Sequence, residues 1–229
     1  MRYLVIDRSS SHPGMAVFEN DVLVCEQVWD GEPTRAPEWI AWVADVLSAK
    51  RLSVPDMDAF VCGLGPGSFS GIRACLAALQ GMALPCKRPV YGVASAAAVA
   101  LGHAESASGV TVIGDARRNR LWCVTYRVDP ASRRVRLADG RIPSHTSNDF
   151  QLVPTEELAS VVPAETRILT SDWERIGELL KSRFAPERLV PQAVFPRATD
   201  VGHLALSDPE ARVLEPLPVY LHPAVAEKP

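Results

Sequence analysis

The apolar positions of the first thirty residues fall into three short runs. Tyr3–Ile6 is closed by Asp7, the polar turn Arg8–Gly14 follows, and Met15–Glu19 forms a second run. Asn20-Asp21 is a turn pair ahead of a third, Val22–Val28. Runs of this length bounded by turn residues predict three consecutive strands. The same figure returns later: Val110–Ile113 runs apolar, reaches Asp115, turns through Ala116–Arg120 and enters Leu121–Val128, with a further strand at Arg134–Leu137. Two copies of strand, Asp, polar turn and strand, each followed by helices, predict an α/β protein of two similar domains. We place the boundary at 1–104 and 105–229, with the stretch 195–229 returning to pack on the first domain.

Between the two copies the periodicity changes from two to 3.6. Glu38–Lys50 reads as a helix that puts Trp39, Ile40, Trp42, Val43, Val46 and Leu47 on an arc of about 160°, wider than one core needs. Met57–Leu64 reads as a buried strand and Ile72–Leu84 as a second helix. That helix sets Ile72, Cys75, Leu76, Leu79 and Met82 against a smooth strip of Ala74, Ala77, Ala78 and Gly81, across which another helix can approach closely. Two readings follow. Either the first helix covers this strip within the molecule, or Trp39, Trp42, Val43, Val46, Ala74, Ala77, Ala78 and Gly81 form a surface for a partner.

The strand and the second helix are joined by Gly65-Pro66-Gly67-Ser68-Phe69-Ser70-Gly71. A glycine-rich strand-to-helix loop gathers backbone N–H groups at the positive end of a helix, which suits an anion. The loop has no P-loop lysine, the third glycine of a dinucleotide fingerprint falls at Ser70, and the serine of a nucleophile elbow would stand at Phe69. The candidate anion-binding set is Asp7, Gly65, Gly67, Ser68, Ser70, Gly71, Arg73 and Asp115; the competing reading is a tight turn, with Ser68 or Ser70 capping the helix and the two Asp as turn formers.

Composition narrows the function further. The chain has 229 residues, 47% of them hydrophobic, and a net charge of −3, which excludes a global attraction to nucleic acid or membrane. The start of the chain has no leader pattern and no apolar run is long enough to span a bilayer, so a cytoplasmic location is expected. Cys25, Cys62, Cys75, Cys86 and Cys123 are scattered without a C-x-x-C and read as reduced thiols. His12, His103, His145, His203 and His222 show no metal-ligand spacing, so no metal site is expected. Ser9, Ser10 and Ser11 have no base evident in the sequence, and no catalytic residue is assigned. Eight arginines (Arg117, Arg118, Arg120, Arg127, Arg133, Arg134, Arg136 and Arg141) concentrate in the hairpins of the second domain, either as a solvated face or as contacts for phosphate groups.

The heptapeptide, followed by Ile72-Arg73, resembles the GPGSFTG-[LIV]-R signature of the bacterial TsaB (YeaZ) family. Arg2–Asp7 resembles the family's opening strand, Pro89–Ser95 its IPVVGVSS segment, Gly114–Arg117 with Leu121–Tyr126 its IDAR hairpin, and Pro218–Leu221 its PVYL. The resemblance implies the actin/Hsp70/sugar-kinase (ribonuclease H-like) fold, each domain a mixed sheet flanked by helices. It further implies a non-catalytic subunit that pairs with and activates TsaD in threonylcarbamoyl transfer to adenosine 37 of tRNA. A TsaE-type ATPase and tRNA join through the complex, no cofactor is assigned to this chain while ATP or ADP with magnesium is reached through the partner complex, and the chain forms a homodimer when alone. The metal-binding histidine pair of TsaD is absent, which argues against a protease. Arg8, Arg35 and His222 depart from the family pattern, at the places of a threonine, a histidine and an arginine. The alternatives are an ATP-dependent phosphotransferase or hydrolase using Asp7 and Asp115, and a repurposed paralogue acting as a homodimer.

Overall fold

A computed structural model describes residues 1–29, 36–105 and 108–221, with the backbone alone for 36, 37 and 108. Arg35 and His222 lie outside the described residues. The first half runs β1 (Arg2–Asp7), β2 (Gly14–Glu19), β3 (Val22–Val28), α1 (Ala36–Ala49), β4 (Ala59–Gly63), α2 (Phe69–Ala83), β5 (Val90–Val93) and α3 (Ser95–Gly102). The second continues β6 (Ser108–Arg117), β7 (Arg120–Asp129), β8 (Arg134–Leu137), β9 (Gln151–Pro154), α4 (Leu158–Val161), β10 (Arg167–Leu169), α5 (Trp173–Arg183), α6 (Ala198–Ser207) and β11 (Val213–Leu214).

Two mixed sheets result. The first has the order β11-β5-β4-β1-β2-β3, with β1, β4 and β5 parallel and the other pairings antiparallel. The second has the order β10-β6-β7-β8, with β9 added to β7. The duplicated figure is visible in register: β1 ends at Asp7, returns as antiparallel β2 and lies parallel to β4, while β6 carries Asp115 two residues before its end, turns at Arg118-Asn119 rather than over the expected Ala116–Arg120 into antiparallel β7, and lies parallel to β10. This is the expected two-domain, ribonuclease H-like architecture.

Three apolar cores stack the layers. Helices α1 and α2 cover the outer face of the first sheet through Trp39, Val43, Leu47, Cys75, Leu76 and Leu79. Helices α4 and α5 cover the outer face of the second through Leu158, Ile176 and Leu180. Helices α3 and α6 fill the space between the sheets, against Val5, Phe18 and Val61 on one side and Val112, Val124 and Tyr126 on the other. That position explains the sequence of α3, Ser-Ala-Ala-Ala-Val-Ala-Leu: Ser95 to Leu101 are all buried, so the helix has no polar face and little bulk. Helix α6 lies on the inner face of the first sheet, and β11 adds to its edge by pairing with β5.

Local chemistry moves several boundaries. Helix α2 starts at Phe69 and not at Ile72, because Ser68 acts as N-cap and its hydroxyl accepts the Gly71 N–H at 3.3 Å. The strand expected from Met57 begins at Ala59, since Val54–Asp56 forms a 3-10 turn closed by Asp56 on Ser53. Among the described residues no helix is long and apolar enough to cross a membrane.

Candidate functional site: the interdomain cleft and the outer helical face

Asp7 stands at the end of β1, where the chain leaves the first sheet. Its carboxylate is 0% exposed. Oδ1 accepts the backbone N–H of Ser9 at 2.8 Å and the Ser9 hydroxyl at 2.7 Å; Oδ2 accepts the Ser95 hydroxyl at 2.5 Å. Ser95 Oγ in turn accepts the N–H of Gly65 at 2.9 Å. Burial pushes the Asp7 carboxyl above its ordinary value, while the bonds from Ser95 and Ser9 pull it back down. The group ties the first turn, the glycine-rich loop and the start of α3 together, and it presents no oxygen to solvent.

The glycine-rich loop lies directly on that turn. Gly65 has φ of 86°, a conformation glycine adopts without steric cost. At Gly67 the Ser9 carbonyl approaches so closely that any Cβ would collide with it. The N–H of Ser68 donates to the same Ser9 carbonyl at 2.7 Å. Residues Gly65, Gly67, Ser68 and Gly71 are thus brought beside Asp7, with Ser70 exposed in the first turn of α2. Arg73, one turn into α2, points elsewhere: its Nε donates to the Tyr220 hydroxyl at 2.9 Å, and its guanidinium lies 3.9 Å from the Phe69 ring centroid and 5.3 Å from that of Tyr220. The final stretch is held there by the Val219 N–H, which donates to Leu64 O at 3.0 Å.

Across the cleft, Asp115 is half-buried and occupied by cations. Arg117 Nη1 lies 3.4 Å and Arg175 Nε 3.6 Å from its Oδ2, and its own N–H donates to Asp172 Oδ2 at 2.9 Å. Arg175 also pairs with Asp172. Together with Ser9–Ser11, Gly67–Phe69, Trp122, Phe195 and Tyr220, these residues line a cleft of about 630 Å³. Asp172, Arg175 and Ser95 escaped the sequence reading because their partners are 57 to 88 residues away. The one available signal was the polar stretch Thr170–Asp172 ahead of an amphipathic segment, a helix start.

The chemistry this cleft offers is limited. Among the described residues no group of three His, Cys, Asp or Glu is placed to hold a metal. Ser11 Oγ does contact a base, His12 Nδ1, at 3.0 Å, which corrects the sequence reading; the ring is stacked on Phe195 at 3.9 Å and no described carboxylate orients it. The cysteines are unpaired thiols. The arginines divide into two groups at the ends of β7, roughly 30 Å apart at 3.4 Å per residue. Arg117, Arg118 and Arg120 sit at one end, Arg127, Arg133, Arg134 and Arg136 at the other. Arg120 donates to Leu152 O, Arg136 pairs with Asp208 and Arg141 with Asp139.

The outer helices show which candidate partner residues reach the surface. Trp39 is 2% exposed and Val43 fully buried, so both belong to the core and are withdrawn from any contact surface. Trp42, Val46, Ala74 and Ala78 are half-buried, whereas Ala77 and Gly81 are exposed. A Cβ added at Gly81 would meet no atom within 4 Å. Sequence reasoning overlooked the apolar ends of this strip, Phe69 at 53% and Leu84 at 79% exposure.

Comparison with known proteins adds the relatives. A family profile described as "TsaD: tRNA N6-adenosine threonylcarbamoyltransferase" matches residues 38–139. The chain is 29% identical over 132 residues to the tRNA threonylcarbamoyladenosine biosynthesis protein TsaB of Escherichia coli, covering 56% of each. It is 24% identical over 127 residues to the protein of the same name from Bacillus subtilis, again covering 56% of each. The chain thus spans about half the length of the curated relatives it matches. Its fold is that of YeaZ from Pseudomonas aeruginosa, with a TM-score of 0.74 and 24% identity over 96% of this chain and 99% of that one.

Proposed function

We propose that this chain is a member of the TsaB/YeaZ family, which it resembles in sequence and fold, and serves in tRNA threonylcarbamoyladenosine biosynthesis as a non-catalytic subunit that docks on a TsaD-type transferase and supports its active arrangement. The observation that carries the reading is the outer face of α2. It leaves Phe69, Ala77, Gly81 and Leu84 uncovered on a helix whose opposite face is firmly in the core. Small residues in the middle let a partner helix approach closely, and the apolar ends gain from burial. The cleft supports the same view. Asp7, which a phosphotransferase would use to hold magnesium, is sealed beneath Ser9 and Ser95, and Asp115 is neutralised by two guanidinium groups. In this reading a TsaE-type ATPase, nucleotide and tRNA are engaged by the assembled complex, and the same helical face forms a homodimer when the transferase is absent.

Size-exclusion chromatography with light scattering, mixing this chain and the TsaD-type protein of the same organism, tests the reading. A one-to-one complex that Ala77→Lys abolishes without loss of folding is expected. Failure of the wild-type chain to form a complex, with and without ATP and a TsaE-type protein, would turn attention to a repurposed paralogue.

A further inference from the structure

Helix α2 carries a single charged side chain, Arg73. It is exposed, yet held by two aromatic rings and a hydrogen bond. Phe69 lies beneath the guanidinium at 3.9 Å, Tyr220 flanks it at 5.3 Å, and the Tyr220 hydroxyl takes the Nε proton at 2.9 Å. The two rings themselves pack with centroids 5.4 Å apart. Nε is thereby satisfied and the rotamer fixed, while no described group pairs with Nη1 or Nη2. The side chain sits in line with Phe69, Ala77, Gln80 and Leu84, spaced at i, i+4, i+8, i+11 and i+15, so it belongs to the same solvent-facing stripe.

Resting on the docking reading above, the geometry points to Arg73 as a preorganised carboxylate receptor: it takes an aspartate or glutamate of the partner helix that packs along α2. A guanidinium offers its two terminal nitrogens as a planar fork matched to a carboxylate, and stacking on aromatic faces holds that plane in place before the ligand arrives. The ordering cost that a long flexible side chain usually adds to association has already been met by Phe69 and Tyr220. The exposed Phe69 ring beneath the cation excludes water from the contact once the partner is seated, the setting in which arginine and tyrosine dominate binding. Charge selects the occupant. The described length of α2 has no Asp or Glu, so a second copy packed stripe to stripe would bring Arg73 against an acid-free surface. The carboxylate is therefore supplied by a different chain, and a homodimer on this face leaves the fork of Arg73 unfilled.

The test is calorimetric titration of the TsaD-type subunit of the same organism with wild type, Arg73→Met, Arg73→Lys and Tyr220→Phe, at low and high salt. A hydrogen-bonded ion pair at the interface predicts a loss of roughly ten- to a hundred-fold for Arg73→Met. Lysine should recover only a minority of it, Tyr220→Phe should lose less, and the salt dependence of the wild type should shrink in Arg73→Met. Thermal melts of each variant check folding. Wild-type affinity in Arg73→Met, in a preparation where Ala77→Lys abolishes the complex, would overturn the receptor and leave the docking reading standing. No complex with the wild type would overturn both. A wild-type homodimer that Arg73→Met dissolves would identify a second copy as the occupant and overturn the receptor as stated.

Discussion

Asp7 shows how a residue that looks chemical can be architectural. Its place at the end of a strand before a polar turn was legible, because the apolar run stops there. Its role was not, because Ser95, which seals Oδ2, is 88 residues away and reaches it only after α3 is packed. Removing the Ser95 hydroxyl leaves a buried carboxylate oxygen and the Gly65 N–H short of a partner. We expect Ser95→Ala to cost about 1–3 kcal/mol in urea unfolding at neutral pH. Asp200, on α6, is a half-buried acid with a different consequence. Burial pushes its carboxyl up to about 6, with Arg197 opposing and Glu26 adding to the rise. The native state therefore binds this proton more tightly than the unfolded chain, and the contribution of Asp200 is full below about pH 4 and lost as pH rises through about 6. Asp200→Asn should gain stability relative to wild type between pH 4.5 and pH 7.5; melting temperatures with no such trend would contradict the assignment.

At the scale of elements, the strands and the duplication could be read from the chain, and the facing of helices only in part. The three opening strands are apolar runs bounded by turn residues, and β8 alternates arginine with an apolar residue, both local signals. The arc of α1 was too wide to say which of its two tryptophans faces the sheet. Packing decides it: Trp39 is inside, against Met15 and Leu47 in the outer core, and Trp42 sits at the margin, edge-on to Trp29 at 5.4 Å. Trp39→Ala is expected to cost about 3–5 kcal/mol, and Trp42→Ala roughly 1–2 kcal/mol, the cost of baring part of one apolar side chain; equal losses in denaturant melts would show that the two positions are not distinguished in solution. The early start of α2 was legible only in part, since the sequence offered Ser68 or Ser70 as the cap and the bond from the Gly71 N–H selects Ser68.

The whole molecule is held together at sites no local pattern announces. His145 is buried in the loop after β8, with Nδ1 accepting the Ala94 N–H at 2.9 Å and Nε2–H donating to Ala211 O. One imidazole thus joins the second sheet's loop to the start of α3 and to the returning chain near β11, and Arg136 with Asp208 makes a second bolt. Both nitrogens are committed, which fixes the neutral tautomer. Burial holds the imidazole below its ordinary value, although the Ala211 carbonyl, Asp149 and Asp208 favour its charge. The unfolded chain takes up this proton first as pH falls. The contribution of His145 is therefore full above about pH 6.5 and declines below it, opposite in sign to that of Asp200. His145→Ala should cost about 2–4 kcal/mol at pH 7.5 and should flatten the acid side of the melting curve; a variant whose pH profile matches the wild type would refute the bolt.

The alanine-rich α3 has a wider consequence. It works as a shim: eight residues, nearly all of minimal bulk, set the gauge between two halves that would otherwise be free to find their own spacing. Two halves with a shim wedged between them keep one gape. Thickening the shim at Ala97 or Ala98 would pry the halves apart and widen the cleft with nothing bound in it. The width of the opening is thus governed by a helix that contributes none of its walls.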